Sequence, residues 1–223
     1  MTLSAPRRSY TILPVDAEFV PGAADSPWTA IPSLGIDHYL WLDNGYHPQV
    51  EVKLCYSPSF LHVGFRVGER RVRVKYTKFQ DPVYKDSCVE FFIDAFPESR
   101  LGYVNFETNA AGTLLAAFGP DRNHRKQLWP EDLAGFDVSA SVAGPLDGEH
   151  GSDAWTLEYR IPLALFRTIY GLEVRPGHRA AANFYKCGDE TEVPHYGAWS
   201  PVDTPSPDFH RPEFFGEVVF GSR

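Results

Sequence analysis

The chain has 223 residues, of which 43% are hydrophobic and 14% aromatic, so it is long enough to bury a substantial core. Its 29 acidic residues outnumber its 21 lysines and arginines, and the net charge of −8 argues against binding to nucleic acid or an anionic membrane. Three cysteines, Cys55, Cys88 and Cys187, form no CxxC motif, so a zinc site built from thiolates is not expected.

Residues 1–10 contain no apolar segment of the kind a signal peptide needs, and no stretch of 18 apolar residues occurs in the sequence. The chain as given is therefore predicted to be cytoplasmic, which agrees with reduced thiols. It would be secreted if a leader had been removed.

The dominant period along the chain is two, which is typical of half-buried strands. Alternation over 50–56 and 61–67, with a Ser-Pro-Ser turn between, predicts a hairpin. Further strands are predicted near 72–76, 87–94, 103–107, 114–118, 135–142, 154–160, 179–187 and 213–220. Leucines and aromatics at helical spacing predict one short helix over 162–170. Many strands with so little helix predict one all-β domain over 1–223, a two-sheet antiparallel sandwich.

Alternation also predicts which side chains share the face that points away from the core. In three of the predicted strands that face carries polar or aromatic groups. They are Glu90, Asn105, Glu107, Asn183 and Tyr185. They could form a ligand-binding platform, or they could be the ordinary solvated face of a sandwich, and alternation alone leaves both interpretations open.

The five tryptophans are predicted to differ in role. Trp28, Trp41 and Trp155 occur in strand-like contexts and are expected in the core. Trp129 lies in a loop and is equally compatible with packing and ligand contact. Trp199, framed by Gly197 and Pro201, is expected to be displayed by a rigid loop.

Several motifs in sequence order resemble the carbohydrate-binding modules of family 9, and among them the stand-alone family 9-like branch. They are YKDSCVEFFID at 84–94, YVNFETN at 103–109, WTLE and IPL within 155–163, and NFYKCG, WSP, DFH and FFG within 183–216. The resemblance covers about 28–220. It implies an immunoglobulin-like or jelly-roll β-sandwich that binds sugars, often with structural calcium.

The resemblance also implies roles for particular positions. Tyr84 takes the place of the first of two aromatics that sandwich a terminal sugar, where tryptophan is usual, and Trp199 takes the place of the second. Glu90 matches the acidic residue that binds sugar hydroxyls, and Asn183 matches an amide approximately. Calcium would need several oxygen ligands, and the acidic cluster Asp189, Glu190 and Glu192 is the candidate site.

The predicted function is non-catalytic binding of a mono- or oligosaccharide, linked to xylan or glucan degradation beside a separately encoded glycosidase. One alternative is a glycoside hydrolase such as an endoxylanase, with Glu90 and Glu107 as a retaining pair. The sequence lacks both the ExDxxE and the GxSxG patterns of known hydrolases. A second alternative, a haem-binding relative of the sandwich, lacks its usual axial ligand because Met1 is the only methionine.

Overall fold

A computed structural model describes residues 8–222 of the chain. Residues 1–7, on which the prediction of a cytoplasmic location depends, lie outside the described residues. Within 8–222 the strands are β1 Ser9–Pro14, β2 Leu34–Ile36, β3 His38–Tyr39, β4 Gln49–Tyr56, β5 Phe60–Gly68, β6 Arg71–Val74, β7 Cys88–Asp94, β8 Tyr103–Asn109, β9 Leu114–Gly119, β10 Lys126–Gln127, β11 Asp137–Ala140, β12 Leu146–Glu149, β13 Trp155–Pro162, β14 Arg179–Cys187, β15 Tyr196–Ala198 and β16 Gly216–Phe220. The α-helix, α1, is Leu163–Tyr170.

Two sheets pack face to face. The first has the order β10-β9-β8-β7-β14-β16, and β15 pairs with the end of β14. The second contains β4, β5, β13 and β11, with β2 on the edge of β4. Strand β1 joins them, because its first residues pair with β16 and its last with β4, in both cases in parallel. The other strand pairs are antiparallel, so the predicted β-sandwich is confirmed.

The predicted hairpin and helix are both present. Strands β4 and β5 pair from Gln49↔Gly68 to Tyr56↔Leu61. Helix α1 follows β13 directly and ends at Gly171, whose φ of 69° gives the left-handed cap that glycine adopts without steric cost. No helix among the described residues is both long and apolar enough to cross a membrane.

Apolar residues fill both faces of the first sheet. The inner face packs against the second sheet and forms the main core, which includes Phe91, Phe106 and Phe184. The outer face carries a smaller cluster, here called the outer core. It consists of Val83, Cys88, Phe92, Tyr103, Tyr185, Cys187, Ala198, Val202, Phe209 and Phe215. The outer core is covered by the segment 199–215, which folds back over β7, β8 and β14. The outer face is therefore largely buried rather than solvated.

Candidate functional site

A cavity of about 350 Å³ opens on the outer face of the first sheet, beside the outer core. Its floor is provided by the strands, through Glu90 on β7, Glu107 on β8 and Cys187 on β14. The remaining lining residues come from β9, from β15 and from the turns and loops around the sheet. They are Trp41, Tyr84, Leu115, Arg122, Arg125, Asp189, Tyr196, Pro207, Asp208, Phe209 and His210.

Two carboxyl groups lie side by side on the cavity floor. Glu90 and Glu107 are direct cross-strand partners and are 3% and 4% exposed. Burial raises the pKa of Glu90 well above its usual value, and the neighbouring Glu107 carboxylate raises it further. Burial also raises the pKa of Glu107, although Arg125 and Arg122 partly oppose this. The pair can therefore retain a proton near neutral pH, and it can both donate and accept hydrogen bonds.

Arg125 and Asn105 hold Glu107 in place. The Asn105 amide donates to Oε1 of Glu107 over 3.0 Å, and its Oδ1 accepts from the Arg125 guanidinium, also over 3.0 Å. The Arg125 guanidinium lies 3.8 Å from Glu107 Oε1. Asn105 itself is fully buried, so it orients the charged groups from behind. At the mouth, Arg122 pairs with Asp208 over 3.0 Å.

Aromatic side chains form one wall of the cavity. The Trp41 ring lies 5.8 Å from Tyr196 and 5.7 Å from Phe209, measured between ring centroids. Its indole N–H donates to the carbonyl of Thr204 over 2.7 Å, which fixes the ring. The backbone of Trp41 has a φ of 64°, a left-handed conformation that is rare for a bulky residue and is often found at binding sites. Tyr84, half-buried in a short 3₁₀ turn, adds another aromatic face.

The comparison with protein families matches the model described as carbohydrate-binding family 9 over residues 25–220. The chain belongs to carbohydrate-binding family 9. Three solved structures are similar to this family 9 chain. A protein from Bacteroides uniformis, described as a candidate carbohydrate-binding protein, is 30% identical over 96% of this chain and 99% of its own, with a TM-score of 0.84.

The other two structures are family 9 modules from Caldicellulosiruptor kristjanssonii. The one in complex with glucose has 14% identity and a TM-score of 0.66, and covers 97% of each chain. The one in complex with cellotriose has 13% identity and a TM-score of 0.64, over 97% of this chain and 95% of its own. At these identities the similarity is evidence for the shared fold alone. The comparison with curated protein sequences gave no match.

Alternation predicts Glu90 and Glu107 on a common outer face, and the resemblance implies Tyr84 as the first aromatic of a sugar site. The structure brings these three residues together in the cavity of this family 9 chain. It does not display Trp199, so that expectation was wrong. Trp199 is 2% exposed and packs edge-on against Phe184 in the main core. A Cβ atom at Gly216 would lie 2.5 Å from the indole ring, so the glycine leaves the space that the tryptophan fills.

Asn183 and Tyr185 are also fully buried and support the covering segment. The Asn183 side chain is hydrogen-bonded to both backbone groups of Ser200. The Tyr185 hydroxyl donates to the Phe209 carbonyl over 3.0 Å, and the two rings stack at 4.0 Å. Neither side chain is among the described residues that line the cavity.

The acidic cluster predicted to bind calcium does not converge on one point. Glu190 pairs with Arg73 over 2.7 Å and with Lys85 over 3.0 Å, and Glu192 pairs with Arg71. Asp189 instead lines the cavity, where burial raises its pKa to about 6. Calcium needs six or more oxygen ligands around one ion, so these three carboxylates as placed do not fit it. Calcium binding by the module stays a prediction.

Sequence reasoning missed the loop residues of the site. Trp41 was predicted to lie in the core, but it lies two residues after the end of β3, shortly before an Asp-Asn-Gly sequence that could have indicated an exposed loop. Arg122 and Arg125 lie in a polar loop between β9 and β10, to which the sequence analysis gave no role. Loops carried by a rigid sheet often hold binding residues, so both signals were present in the sequence.

Proposed function

We propose that this family 9 module binds a mono- or oligosaccharide, without catalysis, in the cavity on the outer face of the first sheet. The observation that carries the proposal is that one cavity combines an aromatic wall with a buried pair of carboxyl groups. Sugars present apolar C–H faces, which stack on aromatic rings, and hydroxyls, which donate to carboxylates and accept from protonated groups.

The ligand class is supported by the relatives, since two solved structures of family 9 modules with the same fold are complexes with glucose and with cellotriose. Glucose and short β-linked glucans or xylans are therefore the first ligands to test. A role beside a separately encoded glycosidase would follow from binding to such chains.

The geometry favours binding over glycoside hydrolysis. A retaining glycosidase needs one carboxyl group that stays ionised as the nucleophile beside one that stays protonated as the acid. Here burial raises the pKa of both Glu90 and Glu107. Since both carboxyl groups are buried, neither has the solvated surroundings that keep a nucleophile ionised, and the pair suits fixed hydrogen bonding to hydroxyls better.

The test is calorimetric titration of the protein with glucose, cellotriose and xylotriose. Trp41→Ala should weaken binding by about 1–3 kcal/mol, which is roughly 5- to 150-fold, because one stacking face is lost. Trp129→Ala is the matched control, because Trp129 is 46% exposed and is not among the described residues that line the cavity. Unchanged affinity in folded Trp41→Ala would refute the assignment. Release of reducing sugar that disappears in Glu90→Gln would favour the hydrolase instead.

A further inference from the structure

Two thiols and a carboxyl group converge at one edge of the cavity floor. Cys88 on β7 pairs directly with Cys187 on β14, and Glu90 follows Cys88 on the same outer face of the sheet. One ligand atom from each of the three residues lies within 4.8 Å of the others. The Cys187 thiol donates to Oε1 of Glu90 over 3.1 Å. All three residues are at most 3% exposed.

The electrostatic surroundings of this cluster favour a cation. Glu90 makes no ion pair with any of the described residues, and its cross-strand neighbour is another carboxyl group, Glu107. Arg125, a basic group that also lines the cavity, is directed to Glu107 and Asn105. Buried without a counter-charge, the Glu90 carboxyl group and the two thiols keep their protons, and a divalent cation that takes the place of those protons would supply the charge that three ionised ligands need.

We propose that Cys88, Cys187 and Glu90 form a binding site for a thiophilic divalent cation, of which Zn²⁺ is the usual biological example. Sulfur and carboxylate ligands in a set of three suit Zn²⁺ and disfavour Ca²⁺ and Mg²⁺, which prefer oxygen alone. Binding displaces to solvent the two thiol protons and the proton held by the Glu90–Glu107 pair, and the two thiolates and the Glu90 carboxylate then hold the ion. At Zn–S distances of about 2.3 Å, neighbouring ligand atoms lie roughly 3.5–4 Å apart, so small rotamer adjustments complete the site.

The fourth coordination position faces the cavity. Cys187 and Glu90 are among its lining residues, so a water molecule or a ligand hydroxyl can reach the ion from that side. Three protein ligands with one open position is the arrangement of an accessible zinc site rather than a closed structural one. The sequence alone does not indicate this site, because its ligands come from two strands far apart in the chain and form no CxxC motif.

The experiment is a titration of reduced, metal-stripped protein with Cd²⁺ at neutral pH, followed by the thiolate-to-metal charge-transfer absorption in the ultraviolet. We expect a band that saturates at one equivalent and is abolished by competing Zn²⁺. Cys88→Ser and Cys187→Ser should each lose it, and Glu90→Gln should weaken binding at least about tenfold. Cys55→Ser is the matched control, because Cys55 is an equally buried free cysteine on β4 of the other sheet.

Wild-type protein without the band, or a band that persists in folded Cys187→Ser, would overturn the proposal. If a cysteine variant fails to fold, the site is tested instead by melting the wild type and Cys55→Ser with and without Zn²⁺. Zn²⁺ should raise the melting temperature of both equally, and an absent shift would also overturn the site. Sugar titrations of the metal-free protein keep the two proposals separate, since the cation site needs no sugar binding.

Discussion

Replacing Asn183 with alanine should weaken the attachment of the segment 199–215 to the first sheet. The Asn183 side chain is fully buried on β14. Its amide donates to the Ser200 carbonyl over 2.8 Å, and its Oδ1 accepts from the backbone N–H groups of Ser200 and Phe184, each over 2.9 Å. Ser200 lies at the start of the segment that covers the outer core.

The expected cost follows from the groups that lose their partners. In Asn183→Ala, two backbone N–H groups and one backbone carbonyl lose their hydrogen-bond partner while they stay buried. A buried hydrogen-bonding group without a partner costs about 1–3 kcal/mol, and water entering the space would recover part of that. The free energy of unfolding should fall by about 3 kcal/mol, and since each kcal/mol is worth about 2–4 °C at this size, the melting temperature should fall by about 6–12 °C.

Urea denaturation and calorimetry measure this change directly, with an unchanged m-value as the sign that the same structure unfolds. Asn44→Ala is the control, because Asn44 is exposed and both bonds of its side-chain amide lie at the surface, one to the Pro194 carbonyl over 2.7 Å and one from the Tyr46 N–H over 3.0 Å. It should cost no more than about 0.5 kcal/mol. A loss below about 1 kcal/mol in Asn183→Ala, together with lost sugar affinity, would instead place Asn183 in contact with the ligand.

Three further predictions concern buried groups. Trp199→Ala should lower the free energy of unfolding by about 3–5 kcal/mol, because it empties a filled core position, and a loss under about 1 kcal/mol by denaturation would contradict that burial. Burial lowers the pKa of His62 from 6.5 to about 4. Between pH 6.5 and pH 4 the His62 side chain is therefore protonated in the unfolded chain but not in the folded chain. Stability should therefore fall from pH 6.5 to 4, and His62→Gln should reduce that slope by up to about 1.4 kcal/mol per pH unit; equal slopes would refute the assignment. Lys186→Met should cost about 3–5 kcal/mol, since it leaves the buried Glu69 carboxylate, 3.3 Å from the ammonium, without its counter-charge. Adding Glu69→Gln should recover much of the loss, and a double variant no more stable than Lys186→Met would count against the pair.

The fold could be predicted from the sequence because apolar and polar residues alternate along a strand that buries only one of its faces. The hairpin of β4 and β5 and helix α1 were predicted almost at their observed bounds. The common outer face of Glu90 and Glu107 was also predicted, and the structure shows that they are direct cross-strand partners. These inferences depend only on the periodicity within each segment, so they needed no knowledge of contacts between distant residues.

The coverage of the outer face could not be predicted in the same way. Alternation indicates that Asn183 and Tyr185 point outward, but not what lies above them. Whether the segment 199–215 leaves the sheet or folds back over it depends on contacts with residues distant in the chain, such as the stacking of Tyr185 on Phe209. The roles of Trp199 and Trp41 were exchanged for the same reason. One ring fills the space beside Gly216, and the other is held at the cavity by a backbone conformation that no periodicity shows.

The covering segment and the site depend on each other. Trp41 is fixed by a bond to the Thr204 carbonyl, and Phe209 both packs in the outer core and lines the cavity. The aromatic wall is thus assembled from two separate parts of the chain that the outer core holds together. A wall fixed before the ligand arrives loses little conformational freedom on binding, so more of the stacking energy contributes to affinity. The covering segment removes the outer face from solvent, and in this way it turns one side of the β-sandwich into a preorganised cavity.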